Sequence, residues 1–136
     1  PFTDVTRAAG LAAPVIYGGE NKVDYILETS SGGVAFLDYD QDGYPDLFVA
    51  TGSRFGAPPP KEATQRLYRN RGDGTFEDVT ARAGMTRGGW QSGAAVGDVD
   101  ADGRPDLLVT SWGELALWRN KGDGTFEDIA GAAGLK

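Results

Sequence analysis

The chain repeats itself, and no other feature constrains its fold as tightly. Residues 33–52 read GVAFLDYDQDGYPDLFVATG, and residues 93–112 read GAAVGDVDADGRPDLLVTSW, at an offset of 60. Residues 67–84 (LYRNRGDGTFEDVTARAG) return at 117–134 (LWRNKGDGTFEDIAGAAG), at an offset of 50. The first unit therefore carries ten extra residues around 53–65, among them Pro58, Pro59 and Pro60. Three consecutive prolines donate no ladder hydrogen bonds, so this insertion is expected to protrude as a loop. A third, partial copy opens the chain: FTDVTRAAGL at 2–11 matches FEDVTARAGM at 76–85 and FEDIAGAAGL at 126–135.

Each unit reads as four short strands rich in Val, Leu, Phe and Tyr. Expected strands are 34–37, 46–50, 66–70 and 75–79 in the first unit. In the second they are 94–97, 106–110, 116–120 and 125–129. Gly-Asp-Gly at 72–74 and 122–124 joins the third strand to the fourth, because glycine accepts the positive φ of a hairpin turn. Four antiparallel strands in roughly 50–60 residues is the pattern of a β-propeller blade. The predicted architecture is all-β, with two four-stranded antiparallel blades and an extra N-terminal strand at 2–5. Residues 1–32 form a partial repeat and linker, 33–84 blade 1 and 85–136 blade 2. A β-sandwich has a similar strand count but does not usually repeat its sequence strand for strand.

Composition agrees. Of 136 residues, 21 are Gly and 7 are Pro, which suits many tight turns, and a hydrophobic content of 40% supports a core. The net charge of −7 disfavours nucleic acid and anionic lipid as partners. No apolar stretch is long enough for a transmembrane helix. Neither Cys nor His occurs, so thiol chemistry, the usual general base and the usual zinc ligands are missing. Starting at Pro1, the sequence reads as a processed mature chain or an excised segment.

Eight of the 20 acidic residues fall in two nine-residue loops. One holds Asp38, Asp40, Asp42 and Asp46; the other holds Asp98, Asp100, Asp102 and Asp106. Calcium takes six to eight oxygens at roughly 2.3–2.6 Å. Carboxylates at loop positions 1, 3 and 5 supply them, Gly43 or Gly103 makes the bend, and the ninth-position Asp closes the shell. The backbone carbonyl of Tyr44 or Arg104 at position 7 is a further candidate ligand. Two bound Ca2+ ions would bring the net charge from −7 to −3. An EF-hand begins in the same way but needs a Glu at position 12 between helices. Position 12 here is Val49 or Val109, in a strand-like run. Magnesium prefers fewer protein oxygens. The competing reading is that these Asp residues only cap solvated turns; four carboxylates in nine residues, twice over, favour two structural calcium sites that act as staples.

On these residues the chain resembles the FG-GAP/VCBS-type repeat, which builds the propellers of integrin α chains and of many secreted bacterial proteins. It is most similar to the ASPIC/UnbV and cartilage acidic protein group, through FTDVT at 2–6 and the ILET–GGVAF stretch at 26–36. The resemblance implies an extracellular or periplasmic propeller with calcium in the blade hairpins. The ligands would be Asp38, Asp40, Asp42 and Asp46, with Asp98, Asp100, Asp102 and Asp106. Propellers of this family hold about seven blades, whereas two are read here, and two cannot close a ring.

Other features carry less. Arg71-Gly72-Asp73 spells an adhesion tripeptide, but it sits where a hairpin tip needs those residues. Gly72-x-Gly74 is no dinucleotide fingerprint. Tyr68, Phe76, Trp118 and Phe126 repeat in register and read as core. Trp90 and Trp112 do not repeat and could line a peptide or glycan surface. Segment 12–31 has no counterpart in the second unit. The expected function is a structural or interaction module, not an enzyme. It would self-assemble into a ring or a head-to-tail polymer, with a protein or glycan ligand on its loop face. The alternatives are an excised fragment of a larger secreted scaffold and a polysaccharide-acting enzyme using an Asp/Glu pair outside the loops.

Overall fold

The computed structural model describes residues 1–19, 22–23, 25–29, 32–54 and 65–135. The expected proline-rich excursion falls almost wholly outside these residues. Eight strands are present: β1 (Val34–Leu37), β2 (Asp46–Val49), β3 (Arg66–Asn70), β4 (Phe76–Asp78), β5 (Gln91–Gly97), β6 (Asp106–Ser111), β7 (Glu114–Asn120) and β8 (Phe126–Asp128). They form two antiparallel sheets ordered β1-β2-β3-β4 and β5-β6-β7-β8, so the chain is all-β with one sheet per repeat. The only helical element among the described residues is a short 3-10 turn, Ile26–Thr29, and no helix is long and apolar enough to cross a membrane.

Register follows the repeat. Leu47 faces Tyr68 and Phe48 faces Leu67 across β2 and β3; Leu107 faces Trp118 and Leu108 faces Leu117 across β6 and β7. Side chains alternate between sheet faces. One face of blade 1 (Phe48, Ala50, Leu67) meets the opposite face of blade 2 (Leu107, Val109, Ala116, Trp118) in a single buried cluster. Tyr39 and Phe126 pack within it at a centroid distance of 6.0 Å. Phe48, Leu67, Met85, Leu107 and Val109 are wholly buried. Each such side chain stabilises the joint by roughly 1.5–3 kcal/mol relative to exposure. The aromatics expected in the core behave accordingly, with Tyr68, Trp118 and Phe126 buried and Phe76 half-buried.

The inner strands β1 and β5 also approach closely. A Cβ on Gly33 would lie 2.7 Å from the Ala94 nitrogen and 2.8 Å from the Gly93 Cα, which explains why glycine stands there. Polar groups lock the same seam. Gln91 donates its backbone N–H to Thr51 O (3.0 Å) and its side-chain amide to Gln65 Oε1 (2.7 Å). Its Oε1 accepts from the Thr51 N–H, and Gln65 donates onward to Met85 O. Both glutamines are buried with their hydrogen bonds made, as a polar pair inside a core must be. Tyr17, from the segment without counterpart in the second repeat, reaches this seam. Tyr17 donates to Gln91 O at 2.6 Å and packs edge-on against Trp90.

Three sequence expectations change. Residues 2–5 are not a strand: they are exposed and in no sheet, because β4 and β8 each pair with the third strand of their own repeat and no such strand accompanies residues 2–5 among the described residues. They lead directly into the end-of-repeat turn. Thr6 donates to Asp4, Ala9 N–H to Val5 O and Leu11 N–H to Thr6 O; the same bonds recur at 78–85 and 128–135. Second, the fourth strands are three residues long instead of five: Thr75 and Thr125 belong to the hairpin turn, accepting from the Arg71 and Lys121 N–H groups, and Asp78 and Asp128 accept the N–H two residues on, which opens the end-of-repeat turn. Third, β5 starts at Gln91, three residues early, and β7 at Glu114, two residues early. Trp112-Gly113 closes a tight hairpin, with Gly113 at φ 80°, where the first repeat carries its insertion.

Candidate metal centre

The two acidic loops join β1 to β2 and β5 to β6, on the same end of adjacent blades. In the first, Asp38 accepts from the N–H groups of Asp42 (3.0 Å) and Gly43 (2.9 Å), and Asp42 accepts from Tyr44 N–H (3.0 Å). The second repeats this geometry: Asp98 accepts from Asp102 (3.1 Å) and Gly103 (2.8 Å), and Asp102 from Arg104 (2.9 Å). Gly43 and Gly103 adopt positive φ, as the sequence implied. So do Gln41 and Ala101 at position 4, which the sequence did not reveal. That conformation is costly for a side-chain-bearing residue, so the loop shape is imposed by its carboxylate–amide bonds.

The structure gathers two trios. Carboxylate oxygens of Asp38, Asp40 and Asp42 lie within 4.8 Å of one another, as do those of Asp98, Asp100 and Asp106. Asp46 and Asp102, also expected as ligands, are not in these groups. Asp46 is fully buried and clamps the loop to the sheet, accepting from Tyr39 N–H (3.0 Å) and Asn70 N–H (2.8 Å). Burial pushes its pKa up to about 6, against the lowering effect of those two bonds. Asp106 makes the equivalent bonds to Val99 and Asn120. Asp102 is drawn into an ion pair with the Arg104 side chain. The side chains of Tyr44 and Arg104 lie against the hairpin glycines Gly72 and Gly122, leaving their carbonyls as the candidate donors.

Both trios offer only hard oxygen donors, which suits a hard divalent cation and not a soft one. Asp40 Oδ1 is buried with no hydrogen-bond partner, so one carboxylate oxygen of the first trio stands ready for a cation. A side chain supplies positive charge there: Arg69 places Nε 2.5 Å from Asp40 Oδ2 and Nη2 2.6 Å from Asp42 Oδ2. The carboxylates, Asp40 foremost, raise the Arg69 pKa in return. The donor set fits a metal ion.

The loops also touch each other. Gln41 Nε2 donates to Gly103 O at 2.8 Å, and the buried Asn120 donates from Nδ2 to Tyr39 O at 2.8 Å. Sequence reasoning missed Arg69, Asn70 and Asn120. The signal was available, since an Arg-Asn pair stands at the same place in both repeats.

The other sequence features resolve into turn chemistry. Asp73 and Asp123 each accept from the N–H and hydroxyl of the Thr two residues on, and those bonds lower both carboxyl pKa values. Gly72 is required by a φ of 75° and by the Tyr44 ring beside it. These contacts account for Gly72 and Asp73 of the tripeptide without a ligand. Trp112 is 69% exposed beside a cleft of about 140 Å³ that also involves Tyr17 and Trp90.

Comparison with known proteins agrees with the repeat. No curated protein matches the chain. A family model, described as the FG-GAP-like repeat, matches residues 38–109 and again 98–135.

Proposed function

The chain belongs to the FG-GAP-like repeat family, and on that premise we propose that it is a calcium-stabilised β-propeller module for structure and interaction, assembling with further copies of itself. The carrying observation is the pair of all-oxygen carboxylate trios at matching places on two adjacent blades. Asp38, Asp40 and Asp42, and Asp98, Asp100 and Asp106, would hold the ions. Asp46 and Asp106 tie each loop to its third strand. A bound ion neutralises like charges that otherwise repel, so calcium binding acts as folding energy. A need for calcium to hold the loops supports an extracellular or periplasmic setting, where calcium is plentiful. The FTDVT and ILET–GGVAF stretches support a kinship with the ASPIC/UnbV and cartilage acidic protein group.

A specific observation supports assembly. Blade 1 buries Val79, Ala83 and Met85 at its joint, at 2%, 0% and 0% exposure. Their counterparts Ile129, Ala133 and Leu135 on blade 2 are more open, beside a cleft of about 670 Å³ lined partly by Arg87, Leu115 and Leu135. This face repeats the surface that blade 1 offers to blade 2 and is shaped to receive one more blade.

Two measurements test the reading. Calcium at about one hundred times its Kd stabilises by ~2.7 kcal/mol per site. Excess chelator should therefore lower the melting temperature by several degrees, and an unchanged melt removes calcium from the proposal. Light scattering in millimolar calcium should give a discrete multiple of 14.3 kDa for a ring or a broad distribution for a polymer. A strict monomer at all concentrations rules out self-assembly.

A further inference from the structure

We propose that Arg69 is a built-in counter-cation of the first loop, making its calcium site the weaker of two. This rests on the reading of both loops as calcium sites. Arg69 Nε and Nη2 hold Asp40 Oδ2 and Asp42 Oδ2, so two of the three carboxylates that an ion would need are already engaged. Asp40 Oδ1 stays open, but calcium and the guanidinium compete for Asp40 Oδ2 and Asp42 Oδ2, so an ion gains the full carboxylate set only as Arg69 leaves.

Among the described residues the second loop has no such occupant within its trio. Arg104 pairs with Asp102, which lies outside the group of Asp98, Asp100 and Asp106, and its Nε donates to Asn120 O at 3.2 Å. Arg119 occupies the repeat position of Arg69 but pairs instead with Glu127 at 2.8 Å. The reason is legible in the neighbours. In blade 1 the matching acid, Glu77, is claimed by Arg82 (3.2 Å) and approached by Arg71 (3.7 Å), which releases Arg69 toward the loop. In blade 2 those two positions are Ala132 and Lys121, and Lys121 turns to Asp123. Glu127 is thereby left for Arg119. Two differences between the repeats, one at the outer hairpin and one in the end-of-repeat turn, thus decide which way a repeated arginine points, and so how an otherwise equal pair of sites differs.

The two roles of Arg69 predict opposite effects of removing it. Without calcium it neutralises clustered carboxylates and supports the fold; with calcium it opposes binding.

The experiment is calorimetric titration of the metal-stripped whole chain with calcium chloride, paired with melting in chelator. Wild type should show a tight and a weak site. Arg69→Gln should tighten the weak site about tenfold, the loss of two partly exposed charge-assisted contacts, and should melt lower than wild type in chelator. Arg69→Lys, keeping charge without the two-pronged reach, should fall between. Arg119→Gln should leave both affinities unchanged, and Asp98→Asn should retain the weak site. Two sites that ignore Arg69→Gln, or that weaken on it, overturn this inference alone. Absence of any calcium heat in the wild type overturns the metal reading and this inference with it.

Discussion

Asn120→Ala tests the joint between blades with a control supplied by the repeat. Asn120 is 1% exposed and accepts the Gly122 N–H on Oδ1 at 2.9 Å. Its Nδ2 donates across the joint to Tyr39 O at 2.8 Å, with a longer contact of 3.4 Å to Pro105 O. Asn70, its counterpart, makes the same turn bond to Gly72 and bonds Pro45 O at 2.9 Å, both within its own blade. Each hydrogen bond contributes about 0.5–1.5 kcal/mol, and a buried group deprived of its partner costs about 1–3 kcal/mol. Asn70→Ala should therefore cost about 1 kcal/mol, and Asn120→Ala about 3 kcal/mol. At this chain length the difference of ~2 kcal/mol corresponds to a melting-temperature gap of roughly 6–8 °C. Both variants are melted in calcium and followed by far-ultraviolet dichroism. Equal losses would refute the idea that a buried side chain of the second repeat pins the loop of the first.

Asp98→Ala should destabilise the calcium-loaded protein by about 2 kcal/mol or more, since two loop N–H groups lose their acceptor along with any ion. Glu114→Ala, which loses one exposed pair with Arg87 at 2.5 Å, should cost under about 1 kcal/mol; equal melts count against the loop assignment. Gly33→Ala should push the inner strands apart and cost about 1–3 kcal/mol, measured by urea unfolding, because its Cβ would meet backbone that cannot step aside. Burial lifts the Tyr17 phenol from 10 to about 12. Its contribution is thus intact below pH 10 and lost as pH rises from 10 to 12, when the unfolded chain ionises first. Tyr17→Phe should flatten that stretch of the stability–pH profile, and a phenolate absorbance titration with no tyrosine near 12 contradicts it.

The two sheets were legible because repetition doubled every local signal. Loop carboxylates, hairpin glycines and alternating apolar residues agreed at offsets of 60 and 50. What the sequence hid is non-local. Residues 2–5 carry the same signature as β4 and β8, yet that signature becomes a strand only beside the third strand of its own repeat. The length of β7 depended on the connection before it, since a two-residue turn keeps the ladder in register to its end. The trios were half-legible. Nine-residue spacing showed which carboxylates cluster but not that Asp46 would be taken up by backbone amides, nor that Arg69 would arrive from β3. The partners that decide such choices, Asn70 and Arg69, stand more than 20 positions along the chain, where pattern reading has no purchase.

The end-of-repeat turn has a consequence for how such molecules grow. The carbonyl of Ala9 accepts from Phe76 N–H of blade 1, and the carbonyl of Ala83 accepts from Phe126 N–H of blade 2. The turns at 4–11 and 78–85 thus each lie on the outer strand of the following unit, so the covalent period and the physical period are out of phase. Cutting the chain at a sequence boundary strips the turn that packs on the module next door. The same offset makes duplication seamless, because an inserted copy arrives with both the plug for its follower and the socket for its predecessor. Lengthening such an array needs no new interface, while shortening it leaves one raw end.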